Sequence, residues 1–158
     1  MYAYRPNFEK KKEKLLSLAL AILGAVLYGS SQIPNAPIPG IIQILGVCAL
    51  AGSILLISMC ILRSYSYELV RGEGEATDFV ITEYYSRRKT VVCRVGLSDV
   101  VSAVEYDQNW KKEKNTVYSY TGVLFDEKRY LLEMQAHGEH FYVIICADET
   151  LLKLLSDR

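Results

Sequence analysis

The sequence predicts a membrane α-helical hairpin followed by a mainly-β domain of the α+β class. The chain has 158 residues, of which 51% are hydrophobic and 23% are charged, a composition that excludes a disordered chain and leaves room for one or two small domains. All 18 basic and 18 acidic residues lie outside residues 15–62. After residue 63, short segments rich in Val, Ile, Tyr, Phe and Thr recur between turn residues, which is typical of β-strands.

Two uncharged segments predict two transmembrane helices, at residues 15–33 and 38–62 of a hairpin that covers residues 15–63. They contain 19 and 25 residues, and a helix needs about 20 mostly apolar residues to cross the bilayer. Pro34 and Pro37 lie between them and predict a tight turn, because proline lacks the backbone N–H that a helix requires. Neither segment contains an acid, a base or a histidine, which argues against an ion pathway or a transporter.

Basic residues flank both ends of the predicted hairpin. The candidate contacts with the membrane surface are Lys10, Lys11, Lys12, Lys14 and Arg63. Positively charged flanks stay in the cytoplasm, so we expect a multi-pass protein of the inner (plasma) membrane with both termini cytoplasmic and residues 1–14 as a basic cytosolic tail. A lysine-rich start before an apolar segment is also typical of a cleaved signal peptide. That alternative leaves only the second helix in the membrane.

Small residues recur along both predicted helices and mark candidate helix-packing positions. They are Ala21, Ala25 and Gly29 in the first helix and Gly46 and Gly52 in the second. Small side chains let helix backbones approach closely in lipid. They favour either a hairpin that packs on itself or a homo-oligomer that assembles through a second helix face.

Residues 64–158 predict one water-soluble domain with seven strands and a C-terminal helix. The predicted strands cover residues 64–70, 79–85, 90–97, 101–106, 117–121, 130–136 and 141–147. Open sheet edges aggregate, so we expect a curved, barrel-like antiparallel sheet that the helix caps. Asp148 precedes an apolar-periodic run that includes Leu151 and Leu155, and aspartate is a favourable N-cap.

Three stretches of this domain resemble the bacterial pleckstrin-homology-like domains. They are the strand–basic turn–strand segment 79–97, the segment 98–104 (SDVVSAV), and the last strand running into the acidic-capped helix at 148–155. That family includes small membrane proteins with two N-terminal helices and a cytosolic C-terminal sheet. The resemblance implies a binding or scaffold fold. Residues 71–77 contain one basic and two acidic residues, unlike the basic turn with which eukaryotic members of this fold bind inositol lipids.

Two basic loops are candidate contacts for lipid headgroups or for a partner. One contains Arg87, Arg88 and Lys89, and the other contains Trp110, Lys111 and Lys112. A basic residue near an anionic membrane surface contributes about 1 kcal/mol, and tryptophan favours the membrane interface. The alternative is that both loops are solvated hairpin tips.

The sequence contains no recognisable catalytic, metal or cofactor site. The net charge is zero, so we expect no nucleic-acid partner. The four cysteines show no CxxC spacing, and the two histidines lie in the turn-like stretch HGEH. No Walker loop, G-x-S-x-G or HExxH motif is present. We therefore expect no cofactor and no enzymatic activity, with a membrane-tethered hydrolase as the weaker alternative.

These observations predict a membrane-anchored binding or scaffold module. Its partners would be the lipid bilayer and a protein, or a lipid headgroup, bound by the cytosolic domain. An exposed strand edge is a common way for a sheet to bind a peptide. The alternative from the small-residue pattern is a homo-oligomeric structural component that assembles through the transmembrane hairpin.

Overall fold

The computed structural model describes residues 1–34, 37–72, 76–107, 110, 116–125, 128–136 and 138–156. The chain forms two compact units. The helical unit contains Glu9–Leu62 and Val123–Phe125, and the β unit contains Met1–Phe8, Arg63–Gly122 and Asp126–Arg158. Residues 1–8 therefore belong to the β unit, whereas the sequence predicts residues 1–14 as one basic tail.

The helical unit is a hairpin of two long helices. They are α1 (Lys11–Ser30) and α2 (Pro39–Leu56), and α2 continues into a π-helical turn at Ile57–Ile61. An 18-residue window has a mean hydropathy of 1.4 within Lys11–Ser30 and 2.5 within Pro39–Ile61, so both helices are long and apolar enough to cross a membrane. Pro39 is the first residue of α2, where its missing N–H removes no helical hydrogen bond.

Glycine allows the two helices to approach closely. A Cβ atom on Gly46 would lie 2.8 Å from the backbone nitrogen of Tyr28, and one on Gly24 would lie 2.9 Å from the carbonyl oxygen of Gly46. Nearby, the Ser53 hydroxyl donates a hydrogen bond of 2.8 Å to the carbonyl oxygen of Ser17. The interface therefore depends on residues too small to hold the helices apart.

The candidate helix-packing residues occupy different faces of the hairpin. Gly46 is buried in the interface, and Ala21 and Gly52 are half-buried. Ala25 and Gly29 are exposed, and a Cβ atom on Gly29 would meet no atom within 4 Å. The spacing of four residues predicts a small-residue stripe, but only part of that stripe lies between α1 and α2.

The described residues of the β unit form two four-stranded sheets and a C-terminal helix. The first sheet has the order β1 (Tyr2–Tyr4), β2 (Arg63–Arg71), β3 (Thr77–Tyr85) and β4 (Arg88–Gly96), all antiparallel. The second has the order β5 (Val100–Glu105), β7 (Tyr130–Ala136), β8 (Glu139–Ile145) and β6 (Thr116–Ser119), with β6 parallel to β8. Helix α3 is Glu149–Ser156.

The inner faces of both sheets and one face of α3 form a single core. Its fully buried side chains include Tyr67 and Phe79 from the first sheet, Leu132 and Ile145 from the second, and Leu151 from α3. The Tyr67 hydroxyl donates to the carbonyl oxygen of Tyr120 at 2.7 Å and accepts from the backbone N–H of Cys146 at 3.2 Å. The polar atom of this buried side chain therefore both donates and accepts a hydrogen bond.

The predicted strands and the predicted C-terminal helix are present. The first and last residues of each predicted strand lie within two residues of the observed ones. The predicted N-cap is confirmed, because an Asp148 carboxylate oxygen accepts from the Leu151 N–H at 3.0 Å.

The prediction of one closed, seven-stranded antiparallel sheet is wrong. Among the described residues, eight strands form two separate sheets of four. The short β1 extends the first sheet, and a 3-10 turn at Leu97–Asp99 carries the chain from one sheet to the other, so that β4 and β5 do not pair.

Candidate functional site: a groove beside a strand edge

A groove of about 650 Å³ lies between β4 and the β6–β8 pair. β4 is at the edge of the first sheet and β6 is at the edge of the second. Among the residues that the structure describes, no strand pairs with the outer side of β4. A nine-residue strand with one unpaired side presents a row of backbone donors and acceptors.

Aromatic side chains line the β6–β8 side of the groove. The rings of Tyr118 and Tyr120 are stacked with centroids 6.2 Å apart, and Phe141 meets Tyr118 edge-on at 6.1 Å. Tyr120 also packs on the core ring of Tyr65 at 5.7 Å. Tyr118 remains 45% exposed, so the groove offers apolar aromatic surface to a ligand.

Burial raises the pKa of Tyr120 to about 12, because its ring lies against the core. Burial also raises the pKa of the Cys93 thiol on β4, so this thiol stays protonated near neutral pH and is a poor nucleophile. Both groups are therefore neutral parts of the groove at physiological pH.

Two polar side chains that line the groove, Arg94 and His140, each contact a carboxylate. The Arg94 guanidinium binds Asp78, with Nε and Nη2 both 2.8 Å from the same carboxylate oxygen. The His140 Nε2 atom lies 2.7 Å from a carboxylate oxygen of Glu133. Among the described residues, no group of three or more His, Cys, Asp or Glu side chains is placed to hold a metal ion.

Arg87, Arg88 and Lys89 lie together at the start of β4. All three are exposed, and the turn that leads into β4 has a positive φ of 55° at Ser86. Lys89 lies 5.8 Å from the ring centre of Tyr84. The structure adds Arg5 to this group, because its guanidinium lies 4.2 Å from the same ring.

Arg63 lies at the same end of the first sheet. It pairs with Tyr85 in the β2–β3 register, and Tyr85 pairs with Arg88 in the β3–β4 register. The Arg63 Nε atom lies 3.4 Å from a carboxylate oxygen of Glu83. Two candidates from separate parts of the sequence, Arg63 and the 87–89 loop, are therefore close together in the fold.

Trp110 packs on the outer face of the second sheet. It meets Tyr142 edge-on at 4.9 Å and is half-buried against a cluster with Leu131 and Ile144. This residue therefore contributes to packing within the β unit. Its predicted neighbours Lys111 and Lys112 lie outside the described residues.

The four lysines before the predicted first span lie in different surroundings. The Lys10 ammonium donates to the carbonyl oxygen of Cys60, and Lys11 forms an exposed ion pair of 2.6 Å with Glu9. Lys12 and Lys14 are exposed on α1. Lys10 therefore connects the start of the hairpin to its end.

Comparison with known proteins finds no matching family model, no similar curated protein and no similar solved structure. The resemblance to pleckstrin-homology-like domains stays a prediction from the sequence. The groove and the two apolar helices are therefore the features that indicate a function.

Proposed function

We propose that this protein is a membrane-anchored protein-binding module whose β unit binds an extended segment of a partner protein along β4. The observation that carries the proposal is that, within the described part of the chain, one side of β4 pairs with no strand and lies beside an aromatic groove. A peptide that adds to a sheet edge gains backbone hydrogen bonds, and the adjacent groove accepts its alternate side chains.

Strand pairing supports a hairpin with both ends on one side of the membrane. β1 precedes α1, β2 follows the π-helical turn, and the two strands pair from Tyr2↔Leu69 to Tyr4↔Tyr67. Two strands separated by a bilayer cannot form such a ladder. The basic flanks favour the cytoplasmic side, so we place the β unit and both termini in the cytoplasm, at the inner (plasma) membrane.

Charge and shape define the partner segment. Arg88 and Lys89 are exposed on β4, whereas the guanidinium of Arg94 is already bound to Asp78. A segment with acidic residues opposite Arg88 and Lys89, and with alternating apolar side chains opposite the aromatic surface, complements this edge. The proposed ligand is therefore an extended, acidic and apolar stretch of a partner protein.

Peptide binding to the full chain in lipid nanodiscs tests the proposal. The probe is a fluorescein-labelled decapeptide that alternates valine and threonine and carries two aspartates at one end. We expect fluorescence anisotropy to show binding at least tenfold tighter than that of the same peptide with two lysines. A version with a central proline should also bind at least tenfold more weakly, because proline removes a donor and breaks the extended ladder. Equal binding of all three peptides would contradict the proposal.

Two valines with nearly equal exposure provide a matched pair of variants. Val91 is 54% exposed on β4 and Val104 is 51% exposed on β5, which is an edge strand away from the groove. We expect Val91→Glu to weaken binding of the acidic peptide at least tenfold, because the new carboxylate repels it. Val104→Glu should change binding less than twofold. An equal loss in both variants would show that β4 is not the binding edge.

A further inference from the structure

A buried carboxylate lies at the start of α1. Glu13 is only 4% exposed, although glutamate is almost never fully buried unless it is paired. One of its oxygens accepts hydrogen bonds from the backbone N–H groups of Leu124, at 3.1 Å, and Phe125, at 3.4 Å. These residues belong to the same compact unit as the helices. Glu13 therefore holds the segment 123–125 at the N-terminal end of the hairpin.

This segment lies at the level where the apolar surface of the hairpin begins. Glu13 is two residues before Leu15, the first residue of the uncharged stretch, and a helix rises about 1.5 Å per residue. Val123 is 5% exposed, whereas Leu124 and Phe125 are 46% and 41% exposed. Two large apolar side chains are thus exposed beside the first turn of the predicted span.

The geometry points to Leu124 and Phe125 as a lipid-contacting element that enters the interface of the bilayer. This inference depends on the proposed membrane anchoring of the hairpin. Lys12 and Lys14 are exposed on α1 just before Leu15, which is itself 69% exposed. Cationic residues followed at once by exposed apolar residues are typical of the headgroup boundary. Leu124 and Phe125 continue that apolar surface from a distant part of the chain.

Glu13 acts as a positioning residue for this element. Backbone N–H groups near hydrocarbon are costly when they have no acceptor, and the Glu13 carboxylate supplies one for both residues. Its negative charge is also favourable in the first turn of a helix. The Glu13 side chain therefore accepts hydrogen bonds from two backbone N–H groups of the segment. These bonds fix the position of the segment along the α1 axis.

Tryptophan quenching by brominated lipid measures the depth of the segment. We would introduce Phe125→Trp into a Trp110→Phe background and reconstitute the full chain in phosphatidylcholine vesicles with acyl chains dibrominated near the headgroup. Val104→Trp in the same background is the control, because Val104 is 51% exposed on an edge strand of the β unit. We expect at least twofold stronger quenching of the tryptophan at 125 than of the one at 104. Equal quenching at the two positions would overturn the inference.

A third position separates this inference from the anchoring itself. Val26 is 61% exposed in the middle of α1, so Val26→Trp should be quenched by lipids brominated deep in the acyl chain. Quenching at 26 with none at 125 would overturn the lipid-contacting element and leave the anchoring intact. No quenching at 26 would overturn the membrane anchoring.

Two substitutions of Glu13 test its positioning role. In the Phe125→Trp protein, Glu13→Gln keeps an oxygen that accepts the two N–H groups, and quenching should be unchanged. Glu13→Ala removes the acceptor, and quenching should fall at least twofold while the helical circular dichroism stays the same. Equal quenching in both variants would show that Glu13 does not hold the segment at the interface.

Discussion

In the helical unit, α1 and α2 come closest where Gly24 and Gly46 leave no room for a side chain. In the β unit the sheets are joined by large side chains, and Tyr67 and Phe79 have no exposed surface. The hairpin exposes many apolar residues, among them Leu15 and Ile54 at 69% and 66%. The β unit places most of its large apolar residues in one core.

Under the proposed membrane anchoring, the difference reflects the solvent around each unit. In water, burial of an aromatic side chain removes about 150–250 Å² from solvent and stabilises the fold by the hydrophobic effect. Lipid chains are as apolar as leucine, so helices in a membrane gain little from burial and depend on close van der Waals contact. Loss of volume should therefore damage the β unit, and added volume should damage the hairpin.

The largest expected effect is the loss of a core side chain from the β unit. Phe79→Ala removes a fully buried ring and should lower the free energy of unfolding by about 3–5 kcal/mol. Denaturant unfolding of the full chain in micelles, followed by Trp110 fluorescence, measures this change. Phe79→Leu is the control and should cost much less, because leucine fills most of the space. A loss below about 1 kcal/mol for alanine would contradict the packing of this core.

The second effect is the reverse change in the hairpin. Gly46→Ala places a methyl group against the backbone of Tyr28 and should destabilise the helix pair by about 1–3 kcal/mol. Gly29→Ala meets no neighbour and should stabilise α1 by up to about 1 kcal/mol, because alanine favours helix more than glycine does. Titration with dodecyl sulfate, followed by helical circular dichroism, compares the two. Effects of the same sign would contradict the interface.

Alkaline pH should destabilise the β unit through its buried tyrosines. Burial raises the pKa of Tyr120 from 10.0 to about 12 and also raises that of Tyr67. Below pH 10 both the folded and the unfolded chain keep the Tyr120 proton. Above pH 10 the unfolded chain loses it first, so the stability gained from this group falls as pH rises towards 12.

Thermal unfolding between pH 9 and pH 12 measures this loss. Tyr120→Phe removes the hydroxyl and should make the decline with pH less steep. Tyr85→Phe, at an exposed position, should leave the decline unchanged. The same slope for Tyr120→Phe and the parent protein would exclude Tyr120 as its source.

The smallest effect is expected at the turn between β3 and β4. Ser86 has a φ of 55°, a conformation that costs an L-residue about 1–2 kcal/mol but that glycine adopts freely. Ser86→Gly should therefore raise the melting temperature slightly. The relief of strain exceeds the larger entropy that glycine loses on folding by up to about 1 kcal/mol. Arg87→Gly should not, because Arg87 does not have a positive φ. A lower melting temperature for Ser86→Gly would contradict this backbone conformation.

The sequence predicts the two helices and every described strand except β1 well, because the signals of these elements are local. A long uncharged run marks a helix, and alternation such as that of Tyr65, Tyr67 and Leu69 marks one buried face of a strand. β1 contains only three residues, too few for a periodic signal. Its role depends on the pairing with β2, which is more than 55 residues away.

The arrangement of the sheets and the candidate sites depend on contacts between distant residues. Nothing local indicates that β6 pairs in parallel with β8, and the groove exists only because the β4 and β6 edges face a common space. In the sequence Glu13 is one acidic residue among lysines, and its hydrogen-bond partners Leu124 and Phe125 lie 111 and 112 residues away. Residue spacing finds the small residues of the helices but does not assign Gly24 to the interface and Gly29 to the exposed face.

The pairing of β1 with β2 has a consequence for how the protein is made and dissected. During synthesis β1 leaves the ribosome before the hairpin and can complete the sheet only after both helices and β2 have been made. A truncated chain that starts at residue 64 would leave one side of β2 bare, and a bare strand edge favours self-association. Arg5 donates to the Ser64 hydroxyl at 3.2 Å, so a short glycine–serine bridge from residue 8 to residue 63 would replace the hairpin and keep β1 beside β2 in one chain.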